Sequence, residues 1–332
     1  MEEGWLQLNS PLPEVKETIV PANRSGLAVK LQTVKTIVWR DKYLYLMLIP
    51  FVLWYLIFAY KPMYGLQIAF KDYSLFKGIA ESPWVGFENF ERFFRSEYFI
   101  RNLVNTFMIN FWGLIFAFPA PIILALLLNE VKNMMFKKTV QTITYLPHFI
   151  SVVIIAGIVT NFLAPTNGIV NIVIEKFGGE KINFLAMPEF FRTIYIGSMQ
   201  VWKDVGYSAI IYLAAIAGIN PALYEAAKMD GANRWKQMWH ITLPGMLPTI
   251  MILLILNLGS FLEVGYESII LLYQPATYET ADVINTYVYR AGLQGGNYEV
   301  GAAAGLFNSV VSLILVVVAN RLSKKMTNIG LW

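Results

Sequence analysis

The feature that most constrains the fold of this 332-residue sequence is a series of long apolar stretches. Six of them approach or exceed the roughly 20 residues that cross a bilayer core, near 43–60, 103–128, 140–164, 190–217, 246–270 and 300–320. Lys203 and Asp204 interrupt the fourth. Charged residues are 14% of the chain, against about 25% in soluble proteins. We therefore predict an all-α integral membrane protein with six transmembrane helices.

The distribution of Lys and Arg predicts the orientation of the chain. Six spans place both termini on one side, which carries 15 basic residues against nine on the other. Because cytoplasmic loops carry the excess of Lys and Arg, both termini are expected in the cytoplasm. The expected divisions are a cytoplasmic N-terminal segment at 1–42, a transmembrane domain at 43–322 and a cytoplasmic tail at 323–332. Segments 61–100 and 271–299 then lie outside, the first with an amphipathic run suited to the membrane surface.

Composition and missing motifs exclude several classes of function. The net charge of +4 reflects membrane orientation and does not indicate nucleic-acid binding. The absence of cysteine excludes disulfides and thiolate ligands, and the separated His148 and His240 predict no metal site. No phosphate-binding Gly-x-x-x-x-Gly-Lys-Ser/Thr loop occurs, so ATP would be used by another chain. The first 40 residues lack a short apolar core with a cleavage site, so no signal peptide is expected.

The segment between the fourth and fifth stretches predicts two short helices joined by a turn. Asn220 suits an N-cap and Pro221 the first helical position. Gly231 suits the left-handed residue that ends a helix, Asn233 caps the next helix, and Pro244 is expected to end it. Two interpretations remain open from these residues alone: a small-residue knob that enters a groove on a soluble partner, or an amphipathic connector on the membrane.

The same segment carries a recognisable signature. It reads Glu-Ala-Ala at 225–227, then two residues, then Asp-Gly-Ala at 230–232. This resembles the cytoplasmic signature of permeases of binding-protein-dependent type I ABC importers. The runs 202–207, 264–267 and 282–290 resemble the larger-sugar branch of that family, which includes the alginate importer. The resemblance covers about residues 35–332.

The resemblance implies a permease without an ATPase site of its own, in a bacterial cytoplasmic membrane. Its loop at 218–245 would hold the coupling helix that docks into the ATPase. Implied partners are a second, similar but non-identical permease, two ATP-binding subunits that bind ATP and Mg²⁺, an extracytoplasmic sugar-binding protein and membrane lipid. The chain itself would hold no cofactor. The implied coupling residues are Glu225, Ala226, Ala227, Asp230, Gly231, Ala232 and Pro244.

Polar residues at membrane depth are candidates for a substrate path, because ionisable groups in a bilayer tend to face a cavity or a partner. Glu263 and Glu267 are expected to share one helix face. The alternative for each candidate is a structural role, such as an ion pair of Lys203 or an interhelical hydrogen bond of an asparagine. The candidates are Asn161, Lys203, Asp204, Tyr207, Asn257, Glu263, Tyr266 and Glu267.

Other functions remain to be weighed against this one. One alternative is an ABC permease for a solute that is not a sugar. A membrane-embedded enzyme would depend on the pair Glu263 and Glu267. An ion-driven transporter usually contains internal repeats, and the sequence shows none. Neither of the last two explains the signature in the loop.

Overall fold

The computed structural model describes residues 39–332, and the expectations for residues 1–38 lie outside this range. Within it the chain is helical and forms no β-strand, as predicted; Lys71 and Trp84 form an isolated antiparallel bridge. The helices are α1 (Lys42–Phe70), α2 (Gly78–Glu81), α3 (Glu88–Phe94), α4 (Phe99–Glu130), α5 (Met134–Tyr145), α6 (Val152–Leu163), α7 (Ile169–Lys176), α8 (Pro188–Tyr195), α9 (Val205–Ala217), α10 (Pro221–Met229), α11 (Arg234–Gly259), α12 (Tyr266–Leu272), α13 (Tyr278–Ala281), α14 (Ile284–Tyr287) and α15 (Tyr298–Thr327). Segments of π-helix continue α8 through Ile196–Trp202 and α14 through Val288–Gln294.

Four helices, α1, α4, α11 and α15, are long and apolar enough to cross a membrane. The number rises to six if each of two bent pairs, α5 with α6 and α9 with α10, counts as one span. These counts refer to residues 39–332 and rest on length and composition. The predicted all-α membrane architecture is therefore confirmed.

Three predicted spans are not the single helices that their hydropathy suggests. The third bends by 105° between α5 and α6, because Pro147 lies in a short turn and Ser151 caps a new helix. The fourth is broken between its π-helical segment and α9, at Lys203 and Asp204. The fifth ends at Gly259, before a separate helix α12.

The predicted helix end at Pro244 is wrong. Helix α11 runs through this residue from Arg234 to Gly259. A π-helical turn at Met238–Thr242 lies directly before the proline. Such turns relax the regular hydrogen-bond ladder, so a residue without an N–H is accommodated without ending the helix.

The chain divides into two units, the first ending at Tyr64 and the second spanning Gly65–Trp332. Of the first unit, the structure describes the beginning of α1, where no residue of Lys42–Tyr55 is buried. The second unit has three apolar clusters: one joins α4, α6, α8 and α12, another joins α4, α9 and α11, and the third joins α3, α14 and α15. Phe93 of the predicted surface helix α3 is buried in the third cluster, so this face of α3 packs on protein.

Candidate functional site

A cavity of about 480 Å³ lies among α4, the α8–α9 region and α11. This volume is within the roughly 300–1,000 Å³ typical of small-molecule sites. Amide, hydroxyl and carboxylate groups on its wall provide hydrogen-bond donors and acceptors for a ligand rich in hydroxyl groups. Its polar lining residues are Asn110, Gln200, Asp204, Ser208, Tyr212, Asn257, Ser260 and Glu263.

Two glycines permit close packing at or near this cavity. A Cβ at Gly113 of α4 would overlap the side-chain amide of Gln200. A Cβ at Gly206 of α9 would overlap the backbone carbonyl of Thr144, near the end of α5. Gln200 Oε1 is buried and accepts no hydrogen bond from the described residues.

The break before α9 carries a charged cluster, of which Asp204 lines the cavity. Asp204 Oδ1 accepts a hydrogen bond from Lys203 Nζ at 3.0 Å and lies 2.9 Å from His148 Nδ1. The His148 ring stacks on Tyr207, with centroids 3.9 Å apart and planes 2° from parallel. Lys203 thus forms an ion pair with its own neighbour, in agreement with the structural alternative. The cluster connects the break at 203–204 with the break between α5 and α6.

Only some of the residues predicted for the substrate path lie together at the cavity. Asp204, Asn257 and Glu263 line the cavity. Tyr266 stacks on Tyr289 with centroids 5.5 Å apart. Tyr266, Asn161 and Glu267 are exposed and are not among the lining residues. A role of any of these residues in transport stays a prediction.

The prediction that Glu263 and Glu267 share one helix face is wrong. Glu263 lies in the non-helical segment after α11, whereas Glu267 lies in the first turn of α12. Tertiary contacts hold this segment open: Asn308 Nδ2 donates to the Leu262 carbonyl at 3.1 Å, and Asn285 Nδ2 donates to the Val264 carbonyl at 2.9 Å. The acidic pair on which the enzyme alternative depends is therefore not formed on a helix.

Five polar residues of the cavity are not among the candidates for the substrate path, the first of them being Asn110 of α4. Gln200, Ser208 and Tyr212 share a spacing of four with Asp204 and line one side of the cavity across the helix break. Ser260 follows the end of α11. A polar residue at every fourth position of an otherwise apolar stretch was the available signal.

The loop 218–237 has the predicted helix-turn-helix form. Asn220 Oδ1 accepts from the Ala222 N–H at 3.0 Å, and Asn233 Oδ1 accepts from the Lys236 N–H at 2.9 Å. Gly231 has φ +73°. The Ala232 N–H donates to the Ala227 carbonyl at 2.8 Å, which closes the hydrogen-bonded helix end that a left-handed residue permits.

This loop is largely exposed within residues 39–332. No residue of Pro221–Met229 is buried, and Met229 is 88% exposed. The Tyr224 hydroxyl lies 3.0 Å from Thr242 Oγ1, and Arg234 Nη1 lies 3.4 Å from Glu130 Oε2 at the end of α4. Among the implied coupling residues, four are exposed at the turn and two are half-buried against it, whereas Pro244 is exposed within α11.

Comparison with known proteins identifies the family. A family model described as the inner membrane component of binding-protein-dependent transport systems matches residues 117–328. The chain belongs to this family. The polygalacturonan/rhamnogalacturonan transport system permease protein of Bacillus subtilis is 49% identical over 293 residues, covering 88% of this chain and 91% of the relative. The arabinooligosaccharides transport system permease protein of Bacillus subtilis is 29% identical over 298 residues, covering 86% and 91%.

A solved structure shares the fold. A chain in the crystal structure of a bacterial ABC transporter involved in the import of the acidic polysaccharide alginate has a TM-score of 0.83 and 52% identity. The match covers 89% of this chain and 99% of that chain. A second structure of an alginate transporter, in complex with a periplasmic protein bound to alginate pentasaccharide, gives a TM-score of 0.82. The predicted type I ABC permease fold is confirmed.

Proposed function

We propose that this chain is the permease subunit of an ATP-driven importer that moves an oligosaccharide, a fragment of a polysaccharide, into the bacterial cytoplasm. The relatives named for polygalacturonan, rhamnogalacturonan and alginate transport support this cargo. The cavity supports it as well, since its wall alternates hydrogen-bonding groups with apolar surface. Sugar rings present both hydroxyl groups and C–H faces, so a wall of this kind suits them.

The observation that carries the proposal is the exposed loop with the Glu-Ala-Ala signature. Helix α10 has no buried residue and a fully formed end, so its surface is free to contact a partner, and its small residues permit close approach. In this proposal the loop docks on the ATPase subunit. Glu225 and Asp230 set its register there, because charges at an interface rim fix orientation more than affinity.

The cargo path then works by alternating access. An extracytoplasmic binding protein delivers the sugar to the outer face, two ATPase subunits bind ATP and Mg²⁺, and the loop transmits their closure to the helices. ATP and loaded binding protein must favour the outward-open state. One chain encloses little, so a second, similar permease subunit completes the cavity. Both termini lie in the cytoplasm of the inner-membrane complex.

The test is purification of the tagged chain from its native host in mild detergent, followed by mass spectrometry. The wild-type chain should recover an ATPase and a second permease. Glu225→Lys should lose the ATPase and sugar uptake while keeping the second permease. Glu180→Lys is a matched control, because it reverses the same charge at another exposed position and should behave as wild type. Full uptake by Glu225→Lys would refute the coupling role.

A further inference from the structure

A cluster of arginines lies at the end of α4 that is remote from the coupling loop. Arg101 lies in the first turn of α4, while the opposite end of this 32-residue helix contacts Arg234 beside the loop. At 1.5 Å per residue the two ends are about 48 Å apart. Under the orientation proposed above, the cluster therefore faces the outside of the membrane.

The centre of the cluster is one fully buried carboxylate with two cations. Asp282 Oδ2 lies 2.7 Å from Arg290 Nη2 and 3.2 Å from Arg101 Nη2. Asp282 Oδ1 accepts from the Thr286 hydroxyl at 2.6 Å. Two guanidinium groups thus share a single negative charge and retain an excess of positive charge. Burial would lower the pKa of Arg290, but its hydrogen bond to Asp282 and the attraction of that charge raise it.

A third guanidinium adds to this excess. Arg192 Nη2 donates to the neutral Asn105 Oδ1 at 2.8 Å, and Asn105 Nδ2 in turn donates to the Asp282 carbonyl at 3.0 Å. Arg101 Nε, Arg192 Nε and Arg290 Nη1 are buried and have no hydrogen-bond partner among residues 39–332. Buried N–H groups without partners are costly, which indicates that the cluster lacks an acceptor.

Partial exposure makes the cluster accessible to a ligand, while two aromatic rings support its guanidinium groups by cation–π contacts. Tyr98 lies under the Arg101 guanidinium at 5.1 Å, and Tyr278 lies under that of Arg290 at 4.6 Å. The side chains of Arg101 and Arg290 remain 34% and 26% exposed. Glu97 and Glu279, carboxylates of the same segments, are exposed, so solvent and salt screen their charge.

We infer that Arg101 and Arg290 form an entry site for the carboxylate of an acidic sugar, with Tyr98 and Tyr278 holding the two guanidinium groups in place. This inference rests on the proposed function and specifies its cargo as uronate-containing oligosaccharides. Guanidinium groups bind carboxylates through paired, charge-assisted hydrogen bonds. The cavity wall carries carboxylates and no basic residue, so acidic cargo is selected at this cluster and not in the cavity.

The test measures binding of trigalacturonate and of its uncharged methyl ester to the complete purified importer in lipid nanodiscs by calorimetry. Wild type should bind the acid more tightly than the ester. Arg101→Gln and Arg290→Gln should each weaken binding of the acid by about tenfold or more and leave the ester unchanged. Each variant keeps one arginine on Asp282, so the buried carboxylate stays paired.

The matched control is Arg95→Gln, which removes the same charge from the exposed pair with Glu91. It should bind both sugars as wild type does. If all three variants bind the acid equally, the cluster is a structural link and the inference is overturned, while the proposed import function stands. If wild type prefers the ester or binds neither sugar, the acidic cargo is wrong; sugar uptake by cells would then still test the import function separately.

Discussion

The left-handed backbone conformation of Gly231 predicts how substitutions at this position affect docking of the loop. Its φ of +73° lies where glycine is favoured over residues with a side chain. A Cβ at this position would meet nothing within 4 Å, so the effect of a substitution in the isolated chain comes from the backbone and not from a clash. Gly231→Val forces a β-branched residue into this conformation, whereas Gly231→Asn supplies a residue that tolerates it.

The magnitude follows from the cost of left-handed backbone for residues with a Cβ, about 1–2 kcal/mol. This cost reduces the population of the formed helix end by about 5- to 30-fold. The Ala232 N–H then loses its bond to the Ala227 carbonyl. Because no residue of α10 is buried, the membrane-spanning part should keep its thermal stability.

The assay is binding of the purified ATPase subunit to the permease complex in nanodiscs, together with ATPase activity stimulated by the loaded binding protein. Gly231→Val should weaken docking by about 5- to 30-fold, and Gly231→Asn should stay close to wild type. If both variants lose docking equally, side-chain bulk in the partner's groove is the cause, not backbone strain. If Gly231→Val docks as well as wild type, the loop is not the docking element.

Three further predictions concern the cavity and its supports. Gly206→Ala should lower the free energy of unfolding by about 1–3 kcal/mol, because its Cβ would overlap the backbone at the end of α5. Gly157→Ala is the control: nothing lies within 4 Å of its Cβ, so it should be neutral or stabilising by up to about 1 kcal/mol. Thermal melting in detergent distinguishes the two variants. Asp204→Asn should lower the free energy of unfolding by about 1–3 kcal/mol, because it leaves Lys203 unpaired. Adding Lys203→Met should restore part of this stability. If the single and double variants lose the same stability, the ion pair does not contribute. Glu263→Gln should change the uptake rate without releasing the ATPase, and a folding defect would instead indicate a structural role.

Local signals in the sequence predicted local structure well. The N-caps at Asn220 and Asn233 and the left-handed Gly231 depend on residues within a few positions, so their chemistry can be read from the chain. The prediction that a helix ends at Pro244 was wrong for a different reason. Proline ends a regular helix, but α11 changes to a π-helical turn just before it, and no residue-level signal marks that change.

A helical membrane protein and a loop with a permease signature can be recognised from the residues alone, because apolar length and short motifs are encoded contiguously. Where the spans break and which polar groups meet depends on how the helices pack. Glu263 faces the cavity because the amides of Asn285 and Asn308 hold the backbone after α11 out of a helix. Arg101 meets Asp282 across 181 positions of sequence. Contacts of this range arise only when the helices pack, since hydropathy records which residues avoid water but not which residues become neighbours.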